Sequence, residues 1–258
     1  MRIMTFNLRC DFFLDFNNRW DMRRDIALNL INKYNCDIIG TQEVTNKMHS
    51  DLSNSLEDYN TIGKPRSKKI SAERNDLLVS KDYKIEDYKT FWLSDNPEKE
   101  GSSKWYSLYP RICTTAVIKV GDEKKIRICN SHLDCFLPQA REYGLRKLIE
   151  VIKCEQKKEE LPVIIMGDFN ATPNSRLIKN FKAGLYTDKR MIAVQDIDES
   201  IYKQGTRGNF KGKNNGLHID YIFVSEEFEI IKTEIVRYNE NGRYPSDHYP
   251  IFAEINLK

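Results

Sequence analysis

The chain has 258 residues, 40% of them hydrophobic, and a formal net charge of +3 at pH 7. A chain of this length can bury about three-quarters of its unfolded surface, which excludes intrinsic disorder. The small positive surplus does not identify a nucleic-acid partner. The densest apolar run, residues 163–166, is far shorter than the roughly 20 residues that cross a bilayer, so we expect neither a transmembrane helix nor a membrane partner.

The sequence also shows no internal boundary. Because no linker, repeat or low-complexity tract divides it, we expect one domain over residues 1–258. The N-terminus lacks the long apolar segment of a signal peptide, so we expect a cytoplasmic protein. The six cysteines include no Cys-x-x-Cys spacing. We therefore expect small buried thiols rather than a zinc site or a disulfide framework.

Short runs rich in Val, Ile, Phe and Thr predict strands. They lie at 2–7, 36–40, 76–80, 112–120, 125–131, 163–167, 218–224, 232–237 and 249–255. Gly121 and Asp122 predict a hairpin turn between the fourth and fifth of these strands. Apolar residues at helical spacing predict helices over 21–34 and 141–154. Because each amphipathic helix needs a sheet beneath it, the pattern predicts an α/β fold with two packed mixed sheets flanked by helices.

Polar residues stand where several predicted strands end. Asn7 closes the first strand, Glu43 follows the second, His132 follows 125–131, and Asp168 and Asn170 follow 163–167. Carboxylate and amide oxygens suit Mg²⁺, Mn²⁺ or Ca²⁺ and argue against zinc or copper. Strand ends are rigid supports for such ligands. The sequence therefore predicts a site for a hard metal ion along one rim of the sheets.

Taken one at a time, most of these residues fit a structural role equally well. Asn and Asp side chains commonly hydrogen-bond turns, and a glutamate is stable beside a helix start. A lone histidine is more often a structural group than a catalyst. Asp220 is different because it lies inside an apolar strand, where a carboxylate needs a partner. His248 is the candidate partner.

The order of these residues resembles the endonuclease/exonuclease/phosphatase superfamily. The segments that carry the resemblance are Asn7, Gln42-Glu43, Ser131-His132, Gly167-Asp168-Phe169-Asn170, Ile219-Asp220-Tyr221 and Ser246-Asp247-His248-Tyr249-Pro250. The resemblance runs through nearly the whole chain. It implies a four-layered α-β-β-α sandwich with two packed mixed, largely antiparallel sheets.

Two further segments, residues 91–97 and 110–116, look like a short bacterial branch of this superfamily that includes a sugar-phosphate phosphatase. They make Trp92 and Arg111 candidates for substrate contact. Packing in the core or on the surface is an equal alternative for both residues.

The resemblance implies metal-assisted attack of water on phosphorus, with one or two Mg²⁺ or Mn²⁺ ions. The implied metal ligands are Glu43, Asn7 and Asp247. The implied catalytic residues are Asp168, Asn170, His248, Asp220 and His132.

Each implied catalytic residue has its own task. Asp168 would deprotonate the attacking water, and Asn170 would hold water or substrate beside it. His248 would donate to a phosphoryl oxygen, with Asp220 fixing its tautomer. His132 would contact the phosphate from the opposite side.

Three functions remain open at this stage. The near-neutral charge and the absence of a long basic insertion favour a phosphatase for a small phosphomonoester such as a sugar phosphate. A DNA or RNA nuclease is the alternative, and its candidate contacts are the basic runs 64–69 and 211–213. A non-catalytic scaffold would have lost ligands, whereas all the expected ligand types are present.

Overall fold

The computed structural model describes residues 1–69, 72–121 and 123–258. The strands are β1 (Arg2–Asn7), β2 (Ile38–Gln42), β3 (Tyr59–Ile62), β4 (Leu77–Ser80), β5 (Lys84–Trp92), β6 (Ile112–Val120), β7 (Lys124–His132), β8 (Val163–Asp168), β9 (Met191–Ala193), β10 (Asp220–Ser225), β11 (Phe228–Ile235) and β12 (Ile251–Leu257). The α-helices are α1 (Trp20–Tyr34), α2 (Asn46–Ser55), α3 (Pro138–Gln156) and α4 (Arg176–Lys182). None of the helices in these ranges is long and apolar enough to cross a membrane.

The strands form two six-stranded sheets. The first has the order β11-β12-β1-β2-β4-β3, and the second has the order β5-β6-β7-β8-β10-β9. In the first sheet β1 and β2 are parallel, in the second β7 and β8 are parallel, and the other neighbours are antiparallel. Both sheets are therefore mixed and largely antiparallel, as predicted.

Alternating side chains along the strands create the layers. On β1, Ile3 packs into a buried cluster that joins the inner faces of both sheets, with Ile128 and Ile164 from the second sheet. Met4, the next residue, packs on the outer face beneath α1, beside Leu30. A third cluster buries the outer face of the second sheet against α3 and α4. The result is the predicted four-layered α-β-β-α sandwich.

The predicted strands and helices are all present, with ends shifted by a few residues. The hairpin of β6 and β7 is confirmed, although Asp122 of its predicted turn lies outside the described residues. The prediction was incomplete, because it omitted three strands and two helices, namely β3, β5, β9, α2 and α4.

The cysteines differ in part from the expectation. All six are free, and Cys36, Cys113 and Cys129 are buried as predicted. Cys10 is half-buried, and Cys135 and Cys154 are exposed, so the expectation of burial is met only in part at Cys10 and is wrong for the last two. Both lie outside the strands that form the core, which is why burial does not extend to them.

Candidate active site

The polar side chains predicted at strand ends lie along one edge of the two sheets. β1 and β2 are parallel, so their last residues, Asn7 and Gln42, are neighbours. β7 and β8 are also parallel, and their last residues, His132 and Asp168, are paired. The antiparallel strand β10 begins at Asp220, directly opposite Asp168. Residues far apart in the chain thus meet because their strands end together.

Asn7 connects the two sheets at this edge. Its amide nitrogen Nδ2 donates to Glu43 Oε1 at 3.1 Å and to Asp168 Oδ2 at 3.0 Å. Ser246 Oγ donates to the backbone carbonyl of Asn7 at 2.6 Å. The hydrogen bond from Ser246 holds the segment before β12 against the end of β1.

Glu43 remains ionised although it is largely buried. Burial raises the pKa of Glu43, but the hydrogen bonds from the Asn7 amide and the Cys10 backbone N–H, together with the charge of Arg9, hold it below its ordinary value. Oε2 of Glu43 also accepts from the backbone N–H of Cys10 at 3.1 Å. The backbone φ of Glu43 is +60°, a left-handed conformation that costs a residue with a side chain about 1–3 kcal/mol. Such strain persists where surrounding contacts fix a side chain for function.

Asp168 has a pKa shifted in the opposite direction. Burial and the Asp220 carboxylate raise the pKa of Asp168 to about 7, against a lowering by His248. Oδ1 accepts from the backbone N–H of Asn170 at 2.8 Å, and Oδ2 lies 3.6 Å from His132 Nε2. A carboxyl group that titrates near pH 7 can take up and release a proton under physiological conditions, as a general base must.

Asp220 and His248 form a buried ion pair. Nδ1 of His248 donates to Oδ2 of Asp220 at 2.9 Å. Burial lowers the pKa of His248, but Asp220 and Asp247 raise it to about 10. The ring is therefore protonated at neutral pH, and its Nε2 lies 4.0 Å from Asp168 Oδ2.

His132, on the other side of Asp168, is neutral. Burial and the nearby Arg111 guanidinium hold the pKa of His132 well below its usual range. Asn170 Nδ2 donates to His132 Nε2 at 2.9 Å, which requires an unprotonated ring nitrogen. Two histidines in different protonation states thus flank one carboxylate.

Asp247 is a buried carboxylate with little hydrogen bonding. It is 6% exposed, and among the described residues its side chain accepts only a long hydrogen bond, from Ser246 Oγ at 3.5 Å. Burial and the Glu43 carboxylate raise the pKa of Asp247. A buried carboxylate with so few hydrogen-bond donors needs a positively charged partner. The oxygen donors of Asp247, Glu43 and Asn7 fit a hard divalent cation.

A second group of side chains could also bind a metal. Asp168, Asp220 and His248 each offer a ligand atom, and these atoms lie within 4.8 Å of one another. In the present arrangement, however, the Asp220 carboxylate and the His248 ring hydrogen-bond each other.

Most of these side chains line an open cleft with a volume of about 450 Å³, whereas Asn7 and Asp220, each 1% exposed, lie behind its lining. Arg111 stands in its wall, where Nη2 donates to Cys135 Sγ at 3.3 Å and Nε has no partner among the described residues. Trp92 does not line the cleft. It is buried behind the wall, and its indole N–H donates to the backbone carbonyl of Arg66 at 2.8 Å. The structure brings Arg111 to the site and leaves Trp92 outside it.

Comparison with known proteins agrees with this geometry. The model of the Endonuclease/Exonuclease/phosphatase family matches residues 4–248. The chain belongs to the endonuclease/exonuclease/phosphatase family. Members of this family are phosphoester hydrolases.

Solved structures include bacterial members of the family with the same fold. One is the endonuclease/exonuclease/phosphatase from Bacteroides vulgatus, 29% identical, with a TM-score of 0.86 over 100% of this chain and 98% of that one. Another is a mannosyl-6-phosphatase of Bacteroides thetaiotaomicron VPI-5482, 25% identical, with a TM-score of 0.88 over 100% of both chains. An uncharacterised protein of Acanthamoeba polyphaga mimivirus is 26% identical over 272 residues, which cover 97% of this chain and 98% of that protein.

The cleft of this family member also contains residues that sequence reasoning missed. They are charged or aromatic side chains on loops, namely Arg9, Asp11, Phe12, Glu73, Tyr109, Phe136 and Arg207. Arg9 lies two positions after Asn7, so the loop that leaves a ligand-bearing strand was an available indication. Arg66 also lines the cleft, but its only indication in the sequence is its place in the basic run 64–69. Glu73 has no motif that could have identified it.

Proposed function

We propose that this chain is a divalent-metal-dependent phosphatase that acts on a small phosphomonoester such as a sugar phosphate. The observation that carries the proposal is the arrangement around Asp168, a buried carboxyl whose Oδ2 lies 3.6 Å from His132 Nε2 and 4.0 Å from His248 Nε2, with its pKa raised to about 7. It lies beside the ionised Glu43 carboxylate, to which Asn7 connects it. This arrangement combines a base, a charged donor and ligands for a cation in one cleft.

The residues that would hold Mg²⁺ or Mn²⁺ are Glu43, Asn7 and Asp247. They are preferred to the group of Asp168, Asp220 and His248 because Asp247 has only one long hydrogen bond, at 3.5 Å, whereas the Asp220 carboxylate and the His248 ring already hydrogen-bond each other at 2.9 Å. When bound, the ion neutralises charge on the phosphoryl oxygens and orients the phosphate.

The side chains of the chain itself then handle the protons. Asp168 accepts the proton of the attacking water, which Asn170 positions from the same loop. The Nε2–H of His248 faces the cleft and donates to a phosphoryl oxygen. Asp220 stabilises the protonated ring and fixes its orientation by accepting from Nδ1. His132 supports the opposite side of the phosphate through its contact with Asn170.

The charge of the cleft favours a small substrate over a nucleic acid. Four arginines and five carboxylates line it, and none of the described residues in its lining is a lysine. Binding along a nucleic-acid backbone needs several cations that face successive phosphates. The second basic run, residues 211–213, does not line the cleft. The similarity to a mannosyl-6-phosphatase supports a sugar phosphate.

A substrate panel tests the proposal. Purified protein is assayed with hexose phosphates, inositol phosphates, phenyl phosphate, nicked and abasic DNA and short RNA, with Mg²⁺ and with EDTA. We expect release of inorganic phosphate from monoesters with Mg²⁺ and none with EDTA. The Asp168→Asn variant, purified identically, controls for contaminating phosphatases.

Two results would overturn the proposal. Efficient strand scission of nucleic acid without turnover of any monoester would replace it with a nuclease. Full activity after exhaustive treatment with EDTA would remove the metal from it.

A further inference from the structure

An ion pair that the proposed chemistry does not use stands in the wall of the cleft. The guanidinium of Arg66 donates from Nη1 and Nη2 to the two carboxylate oxygens of Glu73, at 2.8 and 2.9 Å. Both side chains are mostly buried, with 12% and 19% of their surface exposed, and both line the cleft. This bidentate geometry fixes the planes of the two groups relative to each other.

The pair is held from three directions. The backbone N–H of Arg66 donates to the carbonyl of Glu73 at 2.9 Å, which joins the two sides of the loop between β3 and β4. The indole of Trp92 donates to the carbonyl of Arg66 at 2.8 Å. The guanidinium carbon of Arg66 lies 4.6 Å from the ring centre of Tyr109. The pair is therefore positioned before any ligand arrives.

A small side pocket beside the pair contains hydrogen-bond donors without partners. Arg66, Glu73, Arg111 and His132 are among its lining residues. Arg111 and His132 are 7% and 6% exposed, and Arg111 Nε and His132 Nδ1 have no hydrogen-bond partner among the described residues. Buried donors of this kind normally bind water or a ligand. The wall of this pocket, which includes Glu73, thus encloses donors without partners.

We propose that Arg66, Glu73 and Tyr109 form the subsite that recognises the hydroxylated part of the substrate, so that Glu73 selects sugar phosphates over monoesters without hydroxyl groups. Glu73 accepts a hydrogen bond from a sugar hydroxyl, and Arg66 donates to the oxygen of a neighbouring hydroxyl. The ring of Tyr109, 42% exposed, offers its face to the C–H surface of the sugar. This inference rests on the proposed phosphatase function.

The chemistry of the subsite distinguishes a hydroxyl from a second phosphate. A hydroxyl both donates and accepts, so it matches a carboxylate beside a guanidinium. A phosphate oxygen only accepts, and its negative charge would be repelled by Glu73. The subsite therefore fits a neutral, hydroxylated alcohol on the phosphomonoester and not an extended polyanion.

The test compares substrates with and without hydroxyl groups in one variant. kcat and KM are measured for wild type and Glu73→Gln with mannose 6-phosphate, glucose 6-phosphate and phenyl phosphate. Loss of a hydrogen bond to a charged group should lower kcat/KM for the preferred hexose phosphate by about 10- to 100-fold, mainly through KM. The value for phenyl phosphate should stay within about twofold.

The matched control is Glu142→Gln. Glu142 accepts from Arg146 at 2.8 Å on the outer face of α3, away from the cleft, so both classes of substrate should be unaffected. Equal losses on hexose phosphate and phenyl phosphate in Glu73→Gln would show that Glu73 supports the fold or the phosphate site, and would overturn the inference. Unchanged hexose phosphate kinetics would overturn it as well. Turnover of inositol phosphates but of none of these three would overturn the inference alone, because the subsite does not fit a second phosphate. A wild-type protein that hydrolyses no monoester would overturn the proposed function, and this inference with it.

Discussion

Replacing Asp220 with Asn tests whether Asp220 and His248 act as one unit. The substitution keeps the size of the side chain but removes the charge that lies 2.9 Å from His248 Nδ1. A hydrogen bond between charged groups contributes about 1.5–3 kcal/mol, so the pKa of His248, now about 10, should fall by about 1 to 2 pH units. The ring stays protonated at pH 7, but the neutral amide of Asn holds the orientation of the ring less firmly than the carboxylate does.

The expected loss is therefore mainly in kcat. Loss of a positioned donor to a developing oxyanion typically costs about 10²- to 10³-fold in kcat, and we expect Asp220→Asn to lie in this range while the protein remains folded. The double variant Asp220→Asn/His248→Ala should lose little more than the worse single variant, because residues that act together are non-additive. The measurements are kcat/KM in a double-mutant cycle and an NMR titration of the His248 ring in the metal-free protein.

A second Asp–His pair, between α2 and the residue before β4, offers a matched control. His49 Nδ1 contacts Asp76 Oδ2 at 2.7 Å, which repeats the Asp–His pair outside the cleft. His49→Ala should leave kcat unchanged. Fully additive losses for Asp220→Asn and His248→Ala would show that the two residues work independently, and would refute the reasoning.

Three further predictions concern metal binding, the charge of the buried Asp168 and the packing around Gly167. Glu43→Gln and Asp247→Asn should each weaken Mg²⁺ binding in a calorimetric titration; unchanged affinity in both would contradict the proposed ligand set. The pKa of Asp168 is raised from 3.8 to about 7 in the fold, so its contribution to stability is lost as pH rises through about 7. Metal-free Asp168→Asn should therefore have a higher Tm than wild type at pH 8 while hydrolysis is lost, and a lower Tm would count against this burial cost. Gly167→Ala should lower Tm severely, because at φ +141° its Cβ would lie 1.8 Å from the Ser131 carbonyl oxygen. Gly121→Ala, with φ +74° and no atom within 4 Å of its Cβ, should cost only about 1–2 kcal/mol, and equal losses in the two variants would refute the packing argument.

The interior of the fold was predictable from the sequence because buried strands are apolar on both faces. The strands that were missed, β3, β5 and β9, are all at sheet edges. An edge strand has one neighbour and is partly exposed, so it need not carry a recognisable apolar pattern. β5 illustrates this, since most residues in its first half are exposed and four of its nine residues are charged.

The ends of the central strands were predictable for a related reason. A carboxylate such as Asp168 or Asp220 at the end of an apolar strand has few structural explanations. The order of such residues along the chain then indicated the family and the role of each residue. The cleft walls were not predictable, because Arg66 and Glu73 meet through the path of a loop. Trp92 is a similar case. The resemblance of its segment made Trp92 a candidate for substrate contact, but the sequence did not show that its indole N–H donates to the backbone carbonyl of Arg66.

The site is divided between the two halves of the sandwich, and this division links ligand binding to the stability of the whole chain. Asn7 belongs to the first sheet, Asp168 and Asp220 belong to the second, and the Asn7 amide joins the halves at 3.0 Å from Asp168. A ligand that contacts both halves binds only the chain in which the sheets are docked. At 100 times its dissociation constant it would raise the free energy of unfolding by about 2.7 kcal/mol. Resistance of the entire chain to proteolysis should then rise and fall with the ligand supply.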